Sequence, residues 1–136
     1  MIALGWSGLL PFYACAALAW WQPRALPFES SALLLAYSLA IACFLCGTLW
    51  SSARDVAEPA KSLRLLVSNG LVLLATGGVV FASTHVALAI LMLVFWLVYA
   101  MEWLGAGQRG WYLRYRFQLT CMVSIALLAF LAAPVN

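Results

Sequence analysis

The chain has 136 residues, of which 67% are hydrophobic and 8% charged, with a mean hydropathy of +1.03; soluble domains carry about 25% charged residues, so a water-soluble globule is excluded. At about 20 apolar residues per crossing, the length holds five spans and no soluble domain. Seven basic and four acidic side chains, net +3, are too few for a nucleic-acid surface.

The first apolar run, 3–21, stops at Gln22-Pro23-Arg24, where proline and charge end a helix. It lacks a basic leader and contains Pro11, so it is expected to be a retained span rather than a cleaved signal peptide. The second run, 31–50, has Ser30 or Ser31 placed as N-cap. The most polar stretch follows, Ser51 to Arg64, with a surface helix expected to begin near Pro59. Forty mainly apolar residues then require a reversal, and Ser83-Thr84-His85 supplies it, predicting antiparallel helices over 65–82 and 85–104. Gly105-Ala106-Gly107-Gln108-Arg109-Gly110 makes a turn before a last span over 117–133. Continuous apolar runs without alternation indicate helices rather than a barrel. The expected fold is therefore all-α: one transmembrane domain, 1–136, of five membrane-spanning helices.

If five helices alternate, Arg54, Lys61, Arg64, Arg109, Arg114 and Arg116 share one side and Arg24 alone occupies the other. This bias predicts a cytoplasmic N-terminus and a periplasmic C-terminus. Trp20 and Trp21 would mark the outer interface, and Trp50, Trp103 and Trp111 the inner one.

On the second span, Ala32, Ala36, Ala40, Cys43 and Gly47 fall on one face, a stripe that permits close approach of another helix and would place this span at the centre. The fourth span, bulky all round from Leu91 to Leu97, is expected to face lipid or a partner protein. Cys43-x-x-Cys46 has redox spacing but lies inside an apolar span, so the four cysteines read as small hydrophobic filler. His85, the only histidine, reads as a solvated turn residue. No nucleophilic triad, carboxylate pair, phosphate loop or zinc cluster can be assembled, so no enzymatic activity, metal or cofactor is expected.

One polar group stands out at the basic end: Thr48, Trp50, Ser68, Asn69, Tyr99, Glu102, Arg114, Arg116, Gln118 and Thr120 fall at similar depth. Glu102 is expected to pair with Arg114 or Arg116. Together with Trp111, Tyr112 and Asn69 these residues form the candidate contact site for an anionic lipid or a partner protein. Thr76 and the Gly77-Gly78 pair are the central interruptions that a carrier or channel would use. The leading expectation is an accessory or assembly protein of a larger membrane complex; a small carrier or channel and an anionic-lipid-binding protein are the alternatives.

Gly8-Leu9-Leu10-Pro11-Phe12, Phe44-Leu45-Cys46-Gly47-Thr48-Leu49-Trp50 and Trp111-Tyr112-Leu113-Arg114-Tyr115-Arg116-Phe117-Gln118-Leu119-Thr120 resemble the small membrane-protein family called domain of unknown function 3429. The resemblance spans nearly the whole chain and implies a five-helix protein of a bacterial inner membrane, with no settled activity. Glu102 stands where that family often places an aspartate. Cys46-Gly47 replaces a glycine pair, and Ser51 replaces a glycine.

Overall fold

The computed structural model describes residues 2–21, 29–105 and 110–133, and its regular elements are all helices. In chain order these are α1 (Ile2–Ser7), α2 (Leu10–Trp21), α3 (Ser30–Ser52), a 3-10 turn (Ala53–Asp55), α4 (Ala60–Phe81), α5 (Thr84–Leu104) and α6 (Gly110–Leu131). Four of them, α3 to α6, are long and apolar enough to cross a membrane, rather than the five that the sequence predicts.

The difference lies in the first apolar run, which is two helices of 6 and 12 residues. Pro11 explains the break: it has no N–H for the Ser7 carbonyl, and its ring would collide with that group. The chain turns through Gly8 and Leu9, with the Leu9 amide donating to Trp6 and the Tyr13 amide resuming the helix at Leu9. An interrupted helix inside a bundle needs its freed polar groups met by neighbours. The Tyr37 hydroxyl of α3 does so, donating to the Gly8 carbonyl at 3.0 Å.

The other boundaries shift outward. Glu29, not Ser30 or Ser31, is the N-cap of α3. The expected surface helix at Pro59 and the expected third span are one continuous helix, α4, whose first turn is held by Glu58: the Ser62 hydroxyl and amide both donate to its carboxylate. Ser83 is the N-cap of α5, as its position before the returning helix suggests. α6 starts at Gly110 rather than 117; residues 106–109 of the glycine-rich turn, and Gln22-Pro23-Arg24, lie outside the described residues.

α3 packs against α2, α4 and α5, and α6 packs against α2 and α5. Two sequence expectations are corrected here. The fourth predicted span, α5, faces lipid on one side only: Leu93 and Leu97 are exposed, while Leu88, Leu91, Val94 and Val98 are fully buried and form the middle of the core. Conversely, the stripe expected to carry helix packing faces outward: Ala32, Ala36, Ala40 and Gly47 are exposed and Cys43 is half-buried. α3 buries Leu34, Ser38, Ala42, Cys46 and Leu49 instead. The physical reason is complementarity of volume. Small side chains on α3 and α4 (Ser38, Ala42, Ala75, Gly78) admit the bulky ones of α5, and large residues against small ones fill a core without voids. Cys15 and Cys46 are buried free thiols within this packing.

The interrupted α1–α2 segment runs parallel to α6 in a constant register. Trp6 meets Tyr115 edge-to-face, the Tyr13 hydroxyl donates to the Met122 carbonyl, and the Trp20 indole donates to the Ala129 carbonyl at 2.8 Å. Each contact joins residues 109 apart in sequence, at intervals of seven on both sides. That is the period of left-handed helix packing, and it carries through the break.

At Gly78 a Cβ would lie 3.0 Å from Ile90, whereas Gly77 faces open space. Gly78→Leu should therefore lower stability by about 1–3 kcal/mol. Gly77→Ala should be neutral or stabilising by up to about 1 kcal/mol. Thermal unfolding of the purified variants checks the contrast.

Candidate functional site

Glu102 sits in the last turn of α5 and Arg116 in the second turn of α6, and both are buried. The pair is bidentate: Arg116 Nε donates to Glu102 Oε2 at 2.8 Å and Nη2 donates to Oε1 at 3.2 Å. Two hydroxyls complete the carboxylate's shell. Tyr112 of α6 donates to Oε1 at 3.3 Å, and Thr48 of α3 lies 3.2 Å from Oε1 and 2.7 Å from the Leu45 carbonyl, dividing its single proton between them. Three helices thus converge on one carboxylate, and both of its oxygens are engaged. Glu102 thereby ties the three helices together at this end of the bundle.

This polar knot lies at one end of a cleft of about 420 Å³ between α1–α2, α3, α5 and α6. Arg116, Tyr112, Thr48 and Thr120 line it near the knot, and Leu9, Ile41, Leu45, Leu119 and Val123 give it an apolar body. Phe44 of α3 and Trp111 of α6 also line it and are largely exposed. Gly8 and Leu9 of the helical break line it, as does Gly5, whose lack of a side chain leaves room for the Tyr115 hydroxyl that a Cβ would overlap.

A family profile described as "Protein of unknown function (DUF3429)" matches residues 1–132, and that range includes every residue of the knot and the cleft. The chain belongs to the DUF3429 family. Nothing among curated proteins and nothing among solved structures matches it. The resemblance seen in the motifs is therefore real, and within this DUF3429 protein those motifs have a place: the tryptophan-tyrosine motif of α6 supplies Trp111, Tyr112 and Arg116, the motif closing α3 supplies Thr48, and the Gly8-to-Phe12 motif is the break itself.

Not all expected site residues join it. Glu102 selects Arg116 rather than Arg114, which is exposed on another face of α6. Trp111 and Tyr112 line the cleft, but Asn69 is exposed on α4, which packs against α3 and α5. Ser68 is a packing residue, its hydroxyl donating to the Cys46 carbonyl. Thr76 is exposed and Gly78 is covered by Ile90, so the central interruptions of α4 do not line the cleft. His85 is exposed in the first turn of α5. No group of three His, Cys, Asp or Glu side chains converges among the described residues.

Sequence reasoning missed the cleft's α1–α2 wall and the interhelical bonds of Tyr13, Tyr37 and Trp96, the last donating to Ser124 at 3.1 Å. One signal was available, since a tyrosine or tryptophan inside an apolar span needs a partner for its polar atom.

Removing one member of a buried ion pair leaves the other uncompensated, at a cost of about 3–5 kcal/mol. Glu102→Leu should lower stability by that amount, while Arg114→Ala, with no part in the knot, should change it by less than about 0.5 kcal/mol. Thermal unfolding in detergent or nanodiscs measures both.

Proposed function

We propose that this DUF3429 protein, whose four long apolar helices suit a lipid bilayer, binds a lipid-like amphiphile from that bilayer, holding an apolar tail in the cleft and a polar head at Arg116, Tyr112 and Thr48. The observation that carries this reading is the union of one apolar cavity with one buried polar end. Ligand sites are typically concave and mostly apolar, with a few fixed polar groups that set orientation. In this reading the protein binds and does not catalyse, since the carboxylate is already occupied by four donors.

The same reading takes α1–α2 as a fifth, interrupted crossing, supported by its parallel register with α6. On this reading the excess of basic residues at the knot's end supports a cytoplasmic N-terminus and a periplasmic C-terminus. The family resemblance favours a bacterial inner membrane.

A second reading, an accessory or assembly subunit of a larger complex, is favoured by the exposed face of α4. Asn69 and Thr76, and Gly70 and Gly77, repeat at seven-residue intervals there, and nothing lies over either glycine. Polar and small residues on a lipid-facing surface suit contact with another transmembrane helix.

Mass spectrometry of the protein extracted gently from its own membrane separates the two. The cleft reading expects a stoichiometric amphiphile on a partner-free chain, lost in Leu45→Trp, which fills the cavity from α3. Equal retention by wild type and Leu45→Trp would refute it. Stoichiometric co-purifying subunits, released by Gly70→Leu, would establish the accessory reading.

A further inference from the structure

Chemistry at the cleft's polar end narrows what it can hold, on the reading that the cleft is an amphiphile site. Among the described residues Arg116 is the only ionised one lining the cavity, and its partner Glu102 cancels its charge. A phosphate seated there would bring a net negative charge to a site with no second cation among the described residues that line it, and burying an uncompensated charge is heavily penalised. Donors nevertheless remain. Arginine offers five N–H groups, and Glu102 takes only those on Nε and Nη2, leaving Nη1 outside the hydrogen bonds of the described residues. The Thr120 hydroxyl, one helical turn further along the same wall of α6, donates none among them. The site thus pairs spare donors with zero net charge.

The walls carry a second, independent signal. Phe44, Trp111, Tyr112 and Tyr115 lie on the helical turns around the polar end, and Phe12 and Phe95 line the apolar body beyond it. Aromatic faces and edges pack best against another planar ring, whereas acyl chains have no need of them. We infer that the head held here is an uncharged planar ring bearing acceptor oxygens on an apolar tail, the chemistry of an isoprenoid quinone, rather than the phosphate of a glycerophospholipid. One carbonyl oxygen would accept from Arg116 Nη1 or Thr120, and the tail would follow the apolar groove toward Val123.

The test uses the full chain in phosphatidylcholine nanodiscs. Decylubiquinone and dibrominated phosphatidylglycerol, both quenchers of indole fluorescence, are titrated separately. The signal from the cleft is the quenching present in wild type and absent in Trp111→Phe. Saturable quenching by the quinone, with only linear quenching by the phosphatidylglycerol, is the expected result. Thr120→Val, which removes one hydrogen bond without touching the ion pair, should weaken quinone binding roughly fivefold. Saturable binding of the phosphatidylglycerol alone would overturn the neutral-ring inference and leave the amphiphile cleft standing. Saturation by neither probe would overturn both. Unchanged quinone affinity in Thr120→Val together with Arg116→Lys would overturn the placement of the ring at this end.

Discussion

A carboxylate inside a bilayer must be neutralised or moved, and Glu102 is neutralised where it stands. Its two oxygens collect Arg116 from α6 twice, Tyr112 from α6 and Thr48 from α3, while its own backbone belongs to α5. Because the guanidinium and the carboxylate are both buried, neither can be satisfied by water, and the three helices can approach only at the depth and rotation where this geometry closes. Such a pair contributes less net stability than specificity: it selects one arrangement among the many that apolar helices could adopt in lipid, where no hydrophobic drive distinguishes them.

The second constraint is the interruption before Pro11. A continuous first helix in the same parallel register would follow α6 closely over its whole length. Instead the chain sidesteps at Gly8 and Leu9, Tyr37 takes up the Gly8 carbonyl, and a cavity opens beside the polar knot. Beyond the break, α2 returns to α6 through Tyr13 and Trp20, so the separation is local. The closed polar knot and the cavity beside it give the bundle a lateral cleft lined in part by the exposed Phe44 and Trp111.

How much of this was readable follows from which signals are local. Span positions come from hydropathy, and four of the five expected spans are continuous helices that overlap their predicted ranges. The exception turned on one proline that was visible but weighed only against a cleaved signal peptide. The polar cluster was legible because charged and hydroxyl groups inside apolar runs are costly and must meet; depth alone brought Thr48, Glu102 and Arg116 together. Rotation was not legible. The outward Ala32-to-Gly47 stripe, the buried face of α5 and the exposed Asn69 all depend on which face of a helix turns inward. In a membrane, apolar residues face both lipid and core, so periodicity carries little of that information.

The account rests on Glu102 and Arg116 being bound to each other in the membrane. The most direct measurement is a carbon–nitrogen dipolar distance by solid-state NMR in lipid bilayers, with glutamate carboxyl carbons labelled in 13C and arginine side chains in 15N. Glu102→Gln serves to assign the signal against Glu29 and Glu58. The structure predicts strong dephasing at salt-bridge range that disappears in Glu102→Gln. A wild-type spectrum without it would show that the pair does not form, and neither the depth of α5 against α6 nor the polar end of the cleft would then stand.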